Sequence, residues 1–263
     1  MNLGLGGKGA LVAAASRGLG RAVAEELAAE GASLVLCARN VDDLHQVGSA
    51  IAEAFGVPVL TEPADVSEPE DVDRLLKRAQ AEYGRIDVLV TNAGGPPAGR
   101  FESLTAEMWA AATRLTLNSV VQMARGVLPG MKARGWGRII NVTSIAVKQP
   151  VDSLMLSNSL RAAVTGFART LATEVAPFGV TVNNALPGYT RTDRLEELAR
   201  SSEQSSGTPA GSIRRKWEAE IPMGRLGEPR EFAALVAFLA SERAAYITGA
   251  SVAVDGGWIR SLY

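Results

Sequence analysis

The sequence is poor in the side chains that most often build covalent cross-links and metal sites. Its 263 residues include one cysteine, Cys37, and one histidine, His45. A single cysteine excludes an intrachain disulfide, which fits a reducing compartment. Zinc sites built from several His and Cys ligands are excluded as well, and we expect no metal site. His45 lies in the polar helical stretch DDLHQ, so we expect it to be exposed to solvent.

Excess charge of one sign and long apolar runs are also missing. The 27 Lys and Arg residues balance 28 Asp and Glu residues, which leaves a net charge of −1 and no basic field for nucleic acid. The longest late apolar run, FAALVAFLA, is far shorter than the roughly 20 residues that span a bilayer. The N-terminal stretch reads as a first buried strand and not as a cleaved leader. We therefore expect a cytoplasmic protein without nucleic-acid or membrane partners.

Short apolar runs alternate with longer helical patterns from end to end. The runs are nearly continuously apolar, as parallel strands covered by helices on both faces must be. The pattern predicts an α/β protein, a single-domain Rossmann fold over residues 1–263 with a doubly wound seven-stranded parallel sheet. The predicted strands are 10–15, 33–38, 57–61, 86–91, 137–144, 180–186 and 250–255.

Local signals mark several helix ends and one insertion. Ser67 and Glu70 have the spacing of a capping box, and Gly31 and Gly84 stand where helices should end. The polar, Ser- and Gly-rich segment at about 190–222 interrupts the last βα units. A long insertion of this kind is a lid, a binding segment or a disordered loop. Its position after the carboxyl end of a strand favours a substrate lid over the ligand crevice.

The stretch ALVAAASRGLGRAVAEEL predicts a strand, a tight turn and a helix that can hold a phosphate. Gly18 and Gly20 would let backbone N–H groups approach a phosphate at the positive end of the helix. Two glycines at a turn before a helix are weak evidence alone, because many such turns need glycine. Their place directly after the first strand of a βαβ unit strengthens the signal.

Motifs along the whole chain resemble the short-chain dehydrogenase/reductase family, and most closely its 3-oxoacyl-(acyl carrier protein) reductase-like members. They include SRGLGRAVAEELAAEGA, TNAGG, NVTS, ALPGYTRTD, IPMGRLGEPREFAALVAFLAS and ITGASVAVDGGW. The family's coenzyme loop reads T-G-x-x-x-G-x-G, whereas this chain has Ala13 and Ala14 at its first two positions. The added methyl at Ala14 is expected to weaken coenzyme binding or displace the loop.

The end of the second predicted strand bears on the choice of coenzyme. Arg39 stands where NAD-binding folds usually place a carboxylate for the ribose 2′-hydroxyl, and Arg17 lies on the same side. Two guanidinium groups suit a 2′-phosphate, so we expect NADP(H) in preference to NAD(H). The plainer alternative is that both arginines are solvated surface residues. The resemblance extends the expected coenzyme contacts to Ala14, Ser16, Arg17, Gly18, Leu19, Gly20, Arg39, Asn40, Asp65, Val66, Asn92, Ala93, Gly94, Arg161, Pro187, Gly188 and Thr192.

The resemblance also implies a catalytic set of Asn, Ser, Tyr and Lys for carbonyl reduction. Asn118 in LTLNSV matches the asparagine, and Ser144 in NVTS matches the serine. Ser157 stands where the tyrosine belongs, and Arg161 stands where the lysine belongs. No other register restores the phenol, because no tyrosine occurs between Tyr83 and Tyr189. Tyr189 is the one nearby phenol that could replace it, although a packing role fits it better.

Two hypotheses follow from this altered site. The first is an NADPH-dependent oxidoreductase that acts on a ketone or 3-oxoacyl-type carbonyl/alcohol pair, with weakened activity because an aliphatic hydroxyl is a poor acid. The second is a non-catalytic dinucleotide-binding sensor or assembly protein of the same fold. The retained Asn118, Ser144 and Arg39 favour the first. By resemblance, the chain is expected to form a homodimer or homotetramer through its long helices.

Overall fold

The computed structural model describes residues 2–262, and the predicted alternation of strands and helices is present throughout them. All seven strands pair in parallel. The strands are β1 Gly9–Ala13, β2 Ser33–Ala38, β3 Val59–Pro63, β4 Val88–Thr91, β5 Gly137–Val142, β6 Val180–Pro187 and β7 Ser251–Val254. The helices are α1 Gly18–Ala29, α2 Val41–Phe55, α3 Pro69–Tyr83, α4 Ala106–Thr113, α5 Ser119–Arg134, α6 Met155–Val175, α7 Asp193–Ser206, α8 Ser212–Glu220 and α9 Pro229–Ala240.

The strand order places one crevice at the centre of the sheet. The sheet runs β3-β2-β1-β4-β5-β6-β7, so the chain reverses its direction of growth between β1 and β4. Loops that leave the carboxyl ends of these two strands turn to opposite faces and open a crevice between them. The predicted fold class is confirmed, and the phosphate-loop motif and the TNAGG motif both end at this crevice.

Two apolar layers cover the two faces of the sheet. Neighbouring residues of β1 show this arrangement, since Val12 lies in the layer that contains Phe232 of α9, whereas Leu11 lies in the layer that contains Met123 and Met131 of α5. Because both faces are buried, β1, β2 and β4 are almost continuously apolar. Packing of the helices on the sheet holds the β1–α1 turn and the start of α6 in place, and the candidate site lies there.

Helix ends follow the sequence signals at two places and differ at a third. Gly31 and Gly84 both take left-handed backbone angles, with φ of 84° and 65°, just after α1 and α3. The predicted Ser67–Glu70 capping box is absent, because the hydroxyl of Ser67 donates to Asp65 Oδ1 and not to the helix. Pro69 begins α3 instead, a position where its missing N–H costs nothing.

The polar insertion folds into two helices, α7 and α8. Thr192 caps α7 by accepting a hydrogen bond from the Leu195 N–H at 3.3 Å. The buried carboxylate of Glu203 accepts from the Ile213 N–H at 3.2 Å and thus ties the two helices together. Leu195 and Trp217 face an apolar cluster that also contains Ile145, beside the site. Among the described helices, none is both long and apolar enough to cross a bilayer.

Candidate functional site

The turn from β1 into α1 has the features of a phosphate cradle. Arg17 occupies the N-cap position of α1 without a side-chain cap, so the first N–H groups of the helix stay free for a ligand. A Cβ on Gly20 would overlap the carbonyl of Ala14 and lie 3.0 Å from Asn92 Nδ2. The turn therefore needs glycine at this position, and its tightness brings the loop against the end of β4. These residues fit a dinucleotide diphosphate.

Ala14 bears the structural consequence of the missing first glycine. Its φ is 51°, in the left-handed region that a residue with a Cβ seldom adopts. The backbone therefore keeps the conformation that glycine would give, although alanine makes it strained. The loop is not displaced from the end of β1, since the Ala15 N–H donates to Cys37 O at 3.0 Å.

Arg39 and Asn40 follow β2, and Arg17 stands at the N-cap of α1. Arg17 and Arg39 both extend into solvent, and Arg39 makes a loose 3.8 Å ion pair with Asp65. A pair this open and exposed leaves Arg39 free to contact a phosphate. Asn40 is occupied locally, because its side chain caps α2 by accepting from the Asp43 N–H at 3.1 Å.

The remaining predicted coenzyme residues border the same crevice or support its walls. Thr192 lies against the phosphate loop, with its Cγ2 3.5 Å from the position of a Cβ on Gly18. A Cβ on Gly188 would lie 2.7 Å from the Asp255 Cα, so glycine lets β6 end close to β7. Leu19 packs against one apolar layer, and Val66 belongs to the other. Ser16, Asn92 and Ala93 are half-buried, Pro187 is half-buried at the end of β6, and Gly94 is exposed.

Arg161 and Ser157 form the centre of the site at the start of α6. Arg161 Nε donates to Ser157 Oγ at 3.2 Å, one helical turn away. Arg161 Nη1 donates to the carbonyls of Val142 and Thr143, at 2.9 and 2.7 Å, where β5 ends. Burial, with a smaller contribution from the positive charge of Arg194, lowers the pKa of the Arg161 guanidinium to about 10. The group therefore remains charged at neutral pH while it holds Ser157 in place.

Ser144 faces the same region from the turn after β5. Its Oγ accepts from the Ala146 N–H at 3.1 Å, which uses a lone pair and leaves the hydroxyl hydrogen free. The hydroxyl hydrogen of Ser157 is free as well, since Ser157 Oγ accepts a hydrogen bond from Arg161 Nε. Two serine hydroxyls are thus held by their oxygens with their hydrogens available to donate into the crevice.

Asn118 is not brought into this group, contrary to the prediction. Its side chain is exposed and lines an open surface groove between α5 and α6, with Gln122 and Phe167. Thr116, two residues earlier, is buried and shares a small cavity with Arg161. The backbone forms a π-helical turn over Arg114–Asn118, and two residues along a helix turn a side chain by roughly 200°. Thr116 and Asn118 therefore lie on opposite faces of this helical segment.

The cavity beside Arg161 has polar groups that the protein leaves unpaired. The hydroxyls of Thr116 and Thr143 are buried and have no hydrogen-bond partner within residues 2–262. Asn92 and Ala93, which follow β4, form the wall toward the crevice. Sequence reasoning missed both threonines, because nothing in their residue type separates them from ordinary buried threonines.

Tyr189 packs in the lid and does not lie free as a proton donor. Its ring stacks on Trp217 with centroids 4.9 Å apart and meets the edge of Trp258 at 5.7 Å. Burial raises the pKa of the Tyr189 phenol to about 12, with smaller contributions from Glu220 and Asp152. A phenol with a raised pKa is a weaker acid than usual, which agrees with the predicted packing role.

Comparisons with known proteins agree with this architecture. A family profile described as enoyl-(acyl carrier protein) reductase matches residues 13–259. The chain belongs to the short-chain dehydrogenase/reductase family. It is 38% identical over 255 residues to the 3-oxoacyl-(acyl-carrier-protein) reductase FabG of Vibrio cholerae, which covers 97% of this chain and 98% of that one.

Solved structures of reductases in this family superpose over almost the whole chain. The L-sorbose reductase of Gluconobacter frateurii, complexed with NADPH and L-sorbose, gives a TM-score of 0.95 at 37% identity and covers 100% of both chains. The actinorhodin polyketide ketoreductase with NADPH gives a TM-score of 0.92 at 31% identity and covers 97% of this chain and 98% of that one.

In the described part of this chain, no three His, Cys, Asp or Glu side chains group to hold a metal ion.

Proposed function

We propose that the protein is an NADPH-dependent reductase of small-molecule carbonyl compounds, in which Ser157 and Arg161 occupy the places of the family's tyrosine and lysine. The observation that carries this proposal is the Arg161 guanidinium, which is half-buried where β5 ends and donates to Ser157 Oγ at 3.2 Å. Such a group is a fixed positive charge at the point where an alkoxide would develop. Relatives of the chain include an L-sorbose reductase and a 3-oxoacyl-(acyl-carrier-protein) reductase.

NADPH is the coenzyme that the residues of the crevice fit best. The uncapped N-terminus of α1 suits its diphosphate, and the exposed side chains of Arg17 and Arg39 suit its 2′-phosphate. When bound, NADPH supplies a hydride to the carbonyl carbon of the substrate. The two related structures that contain NADPH support the same choice.

The two serines and Arg161 act on the carbonyl oxygen. Ser144 and Ser157 each donate a hydroxyl hydrogen to it, because their own oxygens already accept hydrogen bonds inside the protein. As the carbonyl oxygen gains negative charge, Arg161 stabilises it through Ser157, and this preorganised charge needs no rearrangement. The proton that completes the alcohol comes from water, since a serine hydroxyl is a weak acid. We expect turnover to be lower than with a phenolic acid by about 100- to 10,000-fold.

Coenzyme titration separates this proposal from a non-catalytic role. Protein fluorescence is followed while NADPH or NADH is added, and we expect quenching at lower concentrations of NADPH. If the purified, folded protein binds neither coenzyme, the hypothesis that it is an NADPH-dependent enzyme is wrong. If NADPH binds, its oxidation is measured with a panel of ketones and acetoacetyl thioesters, and binding without turnover on any of them would favour a sensor.

Restoring the family's residues tests the assignment of the site. The double variant Ser157→Tyr with Arg161→Lys places a phenol and an amine one helical turn apart on α6. We expect faster carbonyl reduction, by about 100-fold or more. The matched control is Ser159→Tyr with Ala163→Lys, at exposed positions of the same helix, which should leave the rate unchanged. An unchanged rate in the first variant, with NADPH affinity retained, would contradict the proposed roles.

A further inference from the structure

Glu203, near the end of α7, is a buried acidic residue that no step of the proposed reaction uses. It is 8% exposed, and within residues 2–262 no Lys or Arg nitrogen lies within 4.0 Å of its carboxylate. Burying a carboxylate is costly unless another group compensates its charge. Glu203 Oε1 accepts a hydrogen bond from the Ile213 N–H at 3.2 Å, so the compensating group is the amino end of α8.

The amino end of α8 has no cap from its own residues. The N-cap position is Gly211, which has no side-chain oxygen to offer, and Ser212 Oγ is buried without a hydrogen-bond partner in the described part of the chain. Ile213 is the second residue of α8, and its N–H is one of the groups that an N-cap side chain usually satisfies. Glu203 therefore replaces the missing cap from another helix.

The sequence of α8 works against its own helical structure. The helix has nine residues, fewer than the roughly 12–15 at which isolated helices become marginally stable. Its first turn has no acidic residue, and the basic residues Arg214, Arg215 and Lys216 follow one another there. Positive charges at the positive end of a helix dipole are unfavourable, whereas a carboxylate at that end is favourable. The Glu203 carboxylate thus stabilises a helix that needs external contacts.

The helix that Glu203 caps carries one wall of the candidate substrate site. Trp217 lies four residues after Ile213, on the same face of α8. Its ring stacks on Tyr189 with centroids 4.9 Å apart, and it packs against the apolar cluster that contains Ile145. Ile145 directly follows Ser144 in the chain. The position of α8 therefore affects the space beside Ser144.

We propose that Glu203 is a positioning residue for substrate binding, because it caps α8 and thereby holds Trp217 at the wall of the substrate site. This inference rests on the proposed function, in which a carbonyl compound binds beside Ser144. A substrate that contacts this wall binds when α8 is in place, so stability lost from α8 is lost from substrate affinity. The coenzyme loop follows β1 and does not include α8, so coenzyme affinity should not depend on Glu203.

Glu203→Leu is the informative variant, since leucine suits a buried position and cannot accept the Ile213 N–H. The substrate is the compound reduced fastest in the panel of ketones and acetoacetyl thioesters. We expect KM to rise by about 3- to 30-fold, the range of a lost N-cap, with kcat and NADPH affinity changed by less than about twofold. The matched control is Glu197→Leu, the same change at a position of α7 that is 44% exposed, which should leave KM unchanged.

Glu203→Gln is the conservative variant and covers the case in which Glu203→Leu does not fold. Glutamine keeps an oxygen that can accept the Ile213 N–H but removes the negative charge. We expect its KM to lie between those of the wild-type protein and Glu203→Leu. A wild-type KM in both variants would overturn the inference.

Amide hydrogen exchange tests the cap without turnover. We expect the amides of residues 213–217 to exchange faster in Glu203→Leu than in the wild-type protein or in Glu197→Leu, while the amides of β5 keep their wild-type rates. Unchanged exchange in α8 would show that Glu203 does not cap it, and faster exchange with an unchanged KM would show that substrate binding does not depend on α8. Either result overturns the inference. If the wild-type protein reduces no carbonyl, the proposed function fails, and exchange still decides whether Glu203 caps α8.

Discussion

Ala14 holds a backbone angle that favours glycine at the most constrained turn of the molecule. Its φ of 51° places a methyl group in the left-handed region, where Cβ crowds the following carbonyl. The turn cannot relax, because the carbonyl of Ala14 faces Gly20 so closely that a Cβ there would overlap it. One residue thus couples the stability of the fold to the shape of the coenzyme loop.

Ala14→Gly should stabilise the protein and improve coenzyme binding. The change removes the left-handed strain, and we expect a gain of about 1 kcal/mol, or roughly 2–4 °C in Tm, after the entropy that glycine costs. NADPH should bind more tightly, as followed by fluorescence titration. The control is Ala15→Gly, a buried neighbour whose φ is not positive, which should lower Tm. A lower Tm for Ala14→Gly would show that the methyl contributes packing that exceeds the strain.

The two perturbed groups near the site predict an unusual pH dependence. Burial lowers the pKa of Arg161 to about 10 and raises the pKa of Tyr189 to about 12, so neither group loses its proton near neutrality. We expect kcat/KM for reduction to be flat between about pH 6 and 9, because the Arg161 guanidinium stays charged over this range and the Tyr189 phenol keeps its proton. Ser157→Tyr with Arg161→Lys introduces a phenol beside an amine, so its profile should gain a slope. A flat profile for both proteins would argue against a role for these positions.

At the scale of elements, the lid is held by rings that come from distant parts of the chain. Tyr189 follows β6, Trp217 belongs to α8 and Trp258 follows β7, yet the ring of Tyr189 contacts both tryptophans. The sequence of this segment is polar, so α7 and α8 depend on these contacts for their stability. Tertiary packing is the reason why the sequence predicts a lid at 190–222 but gives no sign of its two helices.

Trp217→Ala should loosen the lid without affecting the coenzyme-binding crevice. The variant loses the stacked pair with Tyr189, worth about 0.5–1.5 kcal/mol beyond the buried area, so we expect KM for the carbonyl substrate to rise by about tenfold. NADPH affinity should change by less than about twofold, and protease cleavage at the 207–211 turn should be faster. Trp136→Ala serves as the control, because Trp136 packs with Lys8 and Arg138 at the opposite end of the sheet. It should lower Tm and leave KM unchanged.

At the scale of the whole molecule, a chain of buried polar side chains crosses four strands. Thr91 Oγ1 donates to Asn141 Oδ1 at 2.8 Å, Asn141 Nδ2 donates to Asn184 Oδ1 at 3.1 Å, and Asn184 Nδ2 donates to Ser251 Oγ at 3.1 Å. These bonds join β4, β5, β6 and β7 below the site. Because each member is satisfied by the next, the chain specifies the register of half of the sheet.

Asn141→Leu should destabilise the protein more than its size suggests. It leaves the Thr91 hydroxyl and Asn184 Oδ1 without their partner in a buried site, at about 1–3 kcal/mol for each group, so we expect a fall in Tm of several degrees. Thr181→Val on β6 is the control, since the Thr181 hydroxyl is buried without a partner among the described residues. That isosteric change should be neutral or stabilising. Equal effects of the two changes on Tm would mean that the chain of hydrogen bonds does not contribute measurably to stability.

The sequence allowed more of the fold to be predicted than of the site. Seven buried apolar runs suffice for the parallel sheet, because period and burial are local properties of the chain. The start of α6 could be placed as well, and the structure brings Ser157 and Arg161 into contact there. Asn118 could not be assigned correctly, since a π-helical turn decides which residue faces inward. The hydrogen bond from Arg194 to Pro96 O could not be predicted either, because it depends on the folding of the lid.

The lid cluster includes Trp258, which lies only four residues beyond the end of β7. The Met223 N–H also donates to Gly256 O, so the end of the lid rests on this last part of the chain. The closed substrate site therefore depends on the residues that follow β7, whereas the phosphate loop follows β1.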